Sequence, residues 1–147
     1  LLALALGACG TDTSSSEAPT IETAAFAATL SVNLAASTKT GTGLYYRDLV
    51  VGTGALVASG QQVSVHYAGS LANGTQFDAN AAPSAPFVFR VGTGQVISGW
   101  DQGVPGMRVG GRRQLIIPPA LGYGAAANGP IPRNSILVFT VEVVAAQ

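Results

Sequence analysis

Val63-Ser64-Val65-His66-Tyr67-Ala68-Gly69-Ser70-Leu71 alternates along an extended chain, with Val63, Val65 and Tyr67 on one side and Ser64, His66 and Ala68 on the other. Asn73-Gly74 follows, a dipeptide that accepts the positive φ of a tight hairpin, and Thr75-Gln76-Phe77-Asp78 forms the return arm. A half-buried strand closed by a hairpin implies an antiparallel sheet with one face on a core. Short β-type runs separated by Gly and Pro continue in both directions. Upstream, Leu44–Val51 ends at Gly52-Thr53-Gly54; downstream, Ala79–Pro86 is a loop and Phe87-Val88-Phe89-Arg90-Val91 alternates again. Ile97, Trp100 and Val104 fit one side of a single short helix, kept short by Gly99 and Gly103. Arg112–Ile117 is a strand stopped by Pro118-Pro119, and Ile136–Val144 is the longest strand. About five strands and one helix make an α+β domain in which the sheet curls over the helix. Val65, Tyr67, Phe89, Ile116, Leu137 and Phe139 are expected to share the covered face. Tyr67, Phe77, Asp78, Phe87, Val96, Ile97, Trp100, Tyr123 and Phe139 then gather beside a Gly-rich rim, where a concave apolar pocket forms.

The 147 residues suit one domain with an appendage, not two domains. Seven basic and seven acidic side chains cancel, so no net field holds a phosphate backbone, and nucleic acid is excluded as a partner. From Leu44 onward the balance is six Arg against four acids; Arg108, Arg112 and Arg113 read as a solvated edge. One Cys and one His exclude a disulfide framework, a thiolate zinc site and two-histidine chemistry, so neither metal nor cofactor is expected. Val51-Gly52-Thr53-Gly54 and Val91-Gly92-Thr93-Gly94 lack the third glycine and helix of a nucleotide loop and read as turns. His66, on the strand face away from Tyr67, has no catalytic role in this reading, and the default account of Asp78 is an Asx-type turn.

Residues 1–9, Leu-Leu-Ala-Leu-Ala-Leu-Gly-Ala-Cys, are apolar but too short to span a bilayer, and read as the end of a signal peptide. Leu6-Gly7-Ala8-Cys9 resembles a bacterial lipobox, with Cys9 the lipidated residue. That places the chain in a bacterial cell envelope, lipid-anchored and facing the periplasm or exterior. Residues 10–43 are expected to form a flexible tether containing a possible docked arm, and 44–147 the folded domain. Within the tether Phe26, Ala28, Leu30, Val32 and Leu34 recur at every second residue, which allows a strand, an extended arm or, given the alanines, a short helix. No heptad or extra apolar stripe is present, so a monomer is expected.

Val65-His66-Tyr67-Ala68-Gly69, Asn73-Gly74-Thr75-Gln76-Phe77-Asp78, Pro86-Phe87-Val88-Phe89, Gln95-Val96-Ile97-Ser98-Gly99-Trp100, Gly106-Met107-Arg108-Val109-Gly110, Ile117-Pro118-Pro119, Gly122-Tyr123-Gly124 and Leu137-Val138-Phe139-Thr140-Val141-Glu142 together resemble, in order and spacing, the FK506-binding-protein (FKBP) family of peptidyl-prolyl cis-trans isomerases. The resemblance runs from about Leu44 to Val144. It implies a five- to six-stranded antiparallel half-barrel around one short helix, clients that are proline-containing polypeptides, and binding of FK506- or rapamycin-like macrolides. It also implies site residues. Trp100 is the pocket floor; Tyr67, Phe77, Phe87 and Phe139 are walls; Val96, Ile97 and Ile131 complete the lining; Tyr123 and the Ile97 amide hold substrate carbonyls; Asp78 orients the local network. Catalytic roles fall to Asp78, Tyr123, Trp100 and Phe77. The chain departs from the pattern after Asp78, where Asn80 and Ala81-Ala82-Pro83 stand in place of a basic residue, and in a loop after Tyr123 that is shorter, with Asn128 where a His can stand. The competing reading is a weakly active or inactive module that grips proline-containing segments of a surface partner.

Overall fold

A computed structural model describes residues 20–147. The lipobox-like Leu6-Gly7-Ala8-Cys9 and the polar stretch that follows it to residue 19 lie outside the described residues. Seven strands pair antiparallel in one sheet: β1 (Thr38–Lys39), β2 (Tyr45–Val50), β3 (Gln62–Leu71), β4 (Gln76–Asn80), β5 (Phe87–Arg90), β6 (Arg112–Ile117) and β7 (Leu137–Ala146). Their order is β1-β2-β6-β7-β3-β4, and β5 also pairs with β3. β4 lies along Tyr67–Ser70 of β3 and β5 along Gln62–Val65 of the same strand, so residues 81–86 leave one edge and rejoin it. The Asn73-Gly74 turn forms as its chemistry dictates: Gly74 has φ +92° and the Asn73 side chain accepts from the Thr75 amide at 2.9 Å. The single α-helix among the described residues, α1 (Ser98–Gly103), crosses the sheet's concave face.

Gly99 and Gly103 do more than limit the helix. A Cβ on Gly99 would stand 2.6 Å from Ile117 Cδ1, and one on Gly103 2.6 Å from Leu115 Cδ2. The two glycines let the helix backbone lie directly on β6. Around this contact Val63, Val65, Phe89, Trp100, Val104, Leu115, Ile117, Leu137, Phe139, Val141 and Val143 form the main core. Burying side chains of this size is worth about 1.5–3 kcal/mol each.

Ile116 does not share that core. It points to the opposite face with Tyr45, Ile136 and Val138, and the N-terminal arm covers them with Ile21, Phe26, Leu30, Val32 and Leu34. Both faces of β6 are therefore buried, which is why Leu115-Ile116-Ile117 is a continuous apolar run instead of an alternating one. The arm is neither a strand nor an α-helix. It is extended chain broken by 3-10 turns at Ile21–Thr23, Ala28–Leu30 and Leu34–Ala36. Polar ties fix it: the Gln114 side chain donates to the Leu30 carbonyl at 2.8 Å, and Arg47 to the Ser31 carbonyl at 2.8 Å. Glu22 Oε2 takes both the Tyr45 hydroxyl and Lys39 Nζ at 2.7 Å.

Arg113 is likewise not at a solvated edge. Only 6% exposed, it is bidentate to Asp48 at 2.7 and 3.2 Å, donates to the Gly103 carbonyl at 2.8 Å and lies 4.6 Å from the Tyr46 ring centre. It ties β2, β6 and the helix C-terminus together, satisfying a carbonyl the helix leaves open. Arg112 is exposed.

Candidate active site

Between α1 and the sheet lies a cavity of about 280 Å³ lined by Tyr67, Phe77, Asp78, Phe87, Gln95, Val96, Ile97, Trp100, Tyr123 and Phe139. Nine of these ten are residues that the sequence places at the site, and the fold brings them to one cavity. The tenth, Gln95, was not among the expected site residues, although it opens the segment Gln95-Val96-Ile97. Its side-chain oxygen accepts from the Arg90 amide at 2.8 Å, pinning the loop to β5. Ile131 is expected in the lining but is not there: it is 4% exposed and packed in the main core.

Strands β3, β4, β5 and β7 and the helix α1 supply the walls. Trp100 is presented by the first turn of α1, with its ring centre 5.0 Å from Tyr67, 5.3 Å from Phe139, 5.5 Å from Phe89 and 6.2 Å from Phe87. The Tyr67, Phe139 and Phe87 contacts are edge-to-face, the arrangement ring quadrupoles favour. Phe77 stands edge-on to Phe139 at 5.5 Å. That pair exists because position 69 is glycine: a Cβ there would lie 2.5 Å from Phe139 and 2.9 Å from Phe77. Gly69 opposes Asp78 and Ser70 opposes Gln76, so Phe77 is the extra residue of a β-bulge. Bulges of this kind re-aim a side chain.

Polar groups at the rim are few and ordered. Tyr67 Oη donates to Asp78 Oδ2 at 2.8 Å, and Asp78 Oδ1 accepts from the Ala79 amide at 2.8 Å. Partial burial, then the hydrogen bond to Asp78, raises the Tyr67 hydroxyl to about 12, so it stays a donor throughout the neutral range. Among the described residues no Lys or Arg pairs with Asp78; the ion pairs are Lys39–Glu22 and Arg113–Asp48. The Ile97 amide makes no backbone hydrogen bond among the described residues, while its carbonyl accepts from Trp100 and Asp101 at the start of the helix. His66 stands apart from this network, with Nδ1 3.0 Å from the Asn80 side-chain oxygen.

An antiparallel half-barrel closed over one short helix, with a ring-lined cleft between them, is the FKBP-like class of fold. The chain belongs to the FKBP-type peptidyl-prolyl cis-trans isomerase family, whose model matches residues 54–144. Among relatives it is 54% identical over 87 residues to the FK506-binding protein 2 of Dictyostelium discoideum, covering 58% of this chain and 65% of that one. It is 46% identical over 103 residues to the FK506-binding protein of Neisseria meningitidis serogroup B, covering 69% and 94%. It superposes on the crystal structure of FkpA from Escherichia coli with a TM-score of 0.70 at 38% identity, over 76% of this chain and 52% of that one. The chain thus spans less than two thirds of several proteins it matches, and only 21% of the FK506-binding protein 4 of Chaetomium thermophilum.

Proposed function

We propose that this chain accelerates rotation about X–Pro bonds of exported or envelope polypeptides, and that a lipid on Cys9 holds it at a bacterial envelope membrane. The observation that carries the isomerase reading is the cavity: six aromatic side chains around a space sized for a proline ring and its neighbouring peptide groups, with one carboxylate at the rim. Amide resonance sets a barrier of roughly 18–20 kcal/mol to this rotation, and no covalent bond needs to be made. Twisting localises the nitrogen lone pair and weakens the carbonyl dipole. An apolar wall therefore accommodates the twisted imide better than the planar, well-hydrated one, and each ~1.4 kcal/mol of difference is tenfold in rate.

In this mechanism Trp100 receives the pyrrolidine ring, and Tyr67, Phe77, Phe87 and Phe139 exclude water from the imide. The Ile97 amide and the Tyr123 hydroxyl hold carbonyls on either side of the bond. Asp78, fixed by Tyr67 and the Ala79 amide, sets the rim. By the same contacts the cleft would take an FK506-like macrolide, the ligand in the names of the relatives. The lipobox-like Leu6-Gly7-Ala8-Cys9 supports the envelope location, and no helix among the described residues is long and apolar enough to cross a membrane.

A second reading has a specific observation behind it. Among the described residues Asp78 lacks a cationic partner, which favours a module that grips proline-containing segments with little turnover. Exchange NMR on Xaa-Pro peptides separates the two. The wild type is expected to speed cis-trans exchange, Trp100→Leu to lose about tenfold or more, and Asp78→Val and Tyr123→Phe to lose less. Peptide binding without faster exchange in the wild type supports the gripping module. Mass spectrometry of the mature N-terminus tests the anchor; an unmodified Cys9 overturns it.

A further inference from the structure

The arm meets the sheet at one point from which its contacts lead to the cavity. The Ala27 amide donates to the Ala72 carbonyl at 2.8 Å. On the other side of the same turn, a Cβ built on Gly74 would meet the Ala27 methyl at 3.0 Å and Thr29 Oγ1 at 3.3 Å. The arm thus packs against the β3–β4 turn itself. β4 is the end strand of the sheet order and, among the described residues, pairs only with β3. Its second and third residues are Phe77 and Asp78, one a cavity wall in a bulge and the other the rim carboxylate. An edge strand is held by the ladder on one side alone, and the aim of a bulged residue depends on the backbone beside it. The arm is a fixed support for this purpose, because Gln114, Arg47, Tyr45 and Lys39 all hold it.

We propose that residues 20–36, which lie ahead of the family match, are a positioning element for the cavity, and that Ala27 is its positioning residue. Ala27 touches no client. It holds the Ala72–Gly74 turn, and through it the spacing of Phe77 and Asp78 from Phe139 and Tyr67. The activity readout of this proposal rests on the isomerase reading; its structural readout does not.

Ala27 sits at φ −61° and ψ 141°, backbone that proline adopts, so Ala27→Pro in the full chain removes the amide donor and sets the ring Cδ against the Ala72 carbonyl, which parts the arm from the turn at this point. Ala27→Ser keeps the donor. Two measurements are made on each: kcat and KM for Xaa-Pro peptides, and amide hydrogen exchange along β4, β6 and β7. The expected result for Ala27→Pro is a loss of about three- to tenfold in kcat/KM, the scale of one hydrogen bond, with exchange accelerated at Gln76–Asn80 and unchanged in β6 and β7. Ala27→Ser is expected to behave as wild type. Ala27→Gly, which withdraws only the methyl packed on the turn, shifts both readouts in the same direction by less and serves if the proline variant does not fold.

Unchanged kcat/KM with unchanged β4 exchange overturns the proposal. So does faster exchange spread evenly through β6 and β7, because that is the signature of general loosening. A wild type that does not catalyse exchange refutes the isomerase reading instead, and the β4 protection pattern still decides the role of the arm.

Discussion

Arg113 shows how far a single side chain can depart from what its neighbours in the sequence imply. Three arginines within six positions look like one solvated edge, yet strand alternation separates them: Arg112 faces water, and Arg113 turns inward to Asp48 and the Gly103 carbonyl. Removing one partner of a buried ion pair typically costs about 3–5 kcal/mol; with Asp48 partly exposed, Arg113→Met is expected to lose about 2–4 kcal/mol in urea unfolding, and Arg112→Met less than about 0.5. Equal losses would refute this account. At the site, single residues were easier to read. Trp100, Tyr67 and Phe139 could be placed because the motifs around them resemble the family's; by position alone an aromatic residue at a helix start or on a strand's inner face reads as core. Ile131 could not, because nothing in a Gly- and Pro-rich loop says whether an isoleucine faces a cavity or the core beneath it. Trp100 Nε1 is buried without a partner, as a box of rings offers it no conventional acceptor.

At the scale of elements, the strands and the β3–β4 hairpin were legible in alternation and turn chemistry, but the strand order and the closeness of helix and sheet were not. Glycine in a short helix reads first as a helix weakener. Its function here appears only once β6 is seen against it, with three Ile117 atoms within 2.8 Å of where a Gly99 Cβ would stand. Gly99→Ala gains about 1 kcal/mol in helix propensity and loses about 1–3 kcal/mol to overpacking. The expected sum is a destabilised protein whose helix is pushed off the sheet, with KM for peptide raised more than kcat is lowered. A more stable variant with unchanged KM would show that Ile117 can yield. The β4 bulge was equally hidden: Thr75-Gln76-Phe77-Asp78 reads as a plain return arm, and the two-against-one register that aims Phe77 appears only when Gly69 and Ser70 are set opposite it.

Over the whole molecule, the chain ahead of Leu44 was legible in its apolar spacing but not in its destination. The available signal was the unbroken apolar character of Leu115-Ile116-Ile117 and Leu137-Val138-Phe139, which calls for cover on both faces. That cover is latched by charge. Hydrogen bonds from Lys39 and then Tyr45 hold Glu22 down to about 2 from the usual 4.5. Because the folded value lies below the unfolded one, the latch contributes fully above about pH 4.5 and is lost as pH falls toward 2. Amide shifts of the arm followed by NMR are expected to move in that window with Tyr45, and Glu22→Gln to abolish the transition; a midpoint at 4.5 would mean that the latch does not form in solution. The double attachment of β4 and β5 to β3 has its own consequence. Residues 81–86 hang between two separately anchored strands, one bearing Asp78 and the other Phe87, at the doorway of the cleft. A graft of new sequence there leaves every rung of the ladder in place, so under the proposed isomerase function this porch is where client choice can be redesigned without rebuilding the house.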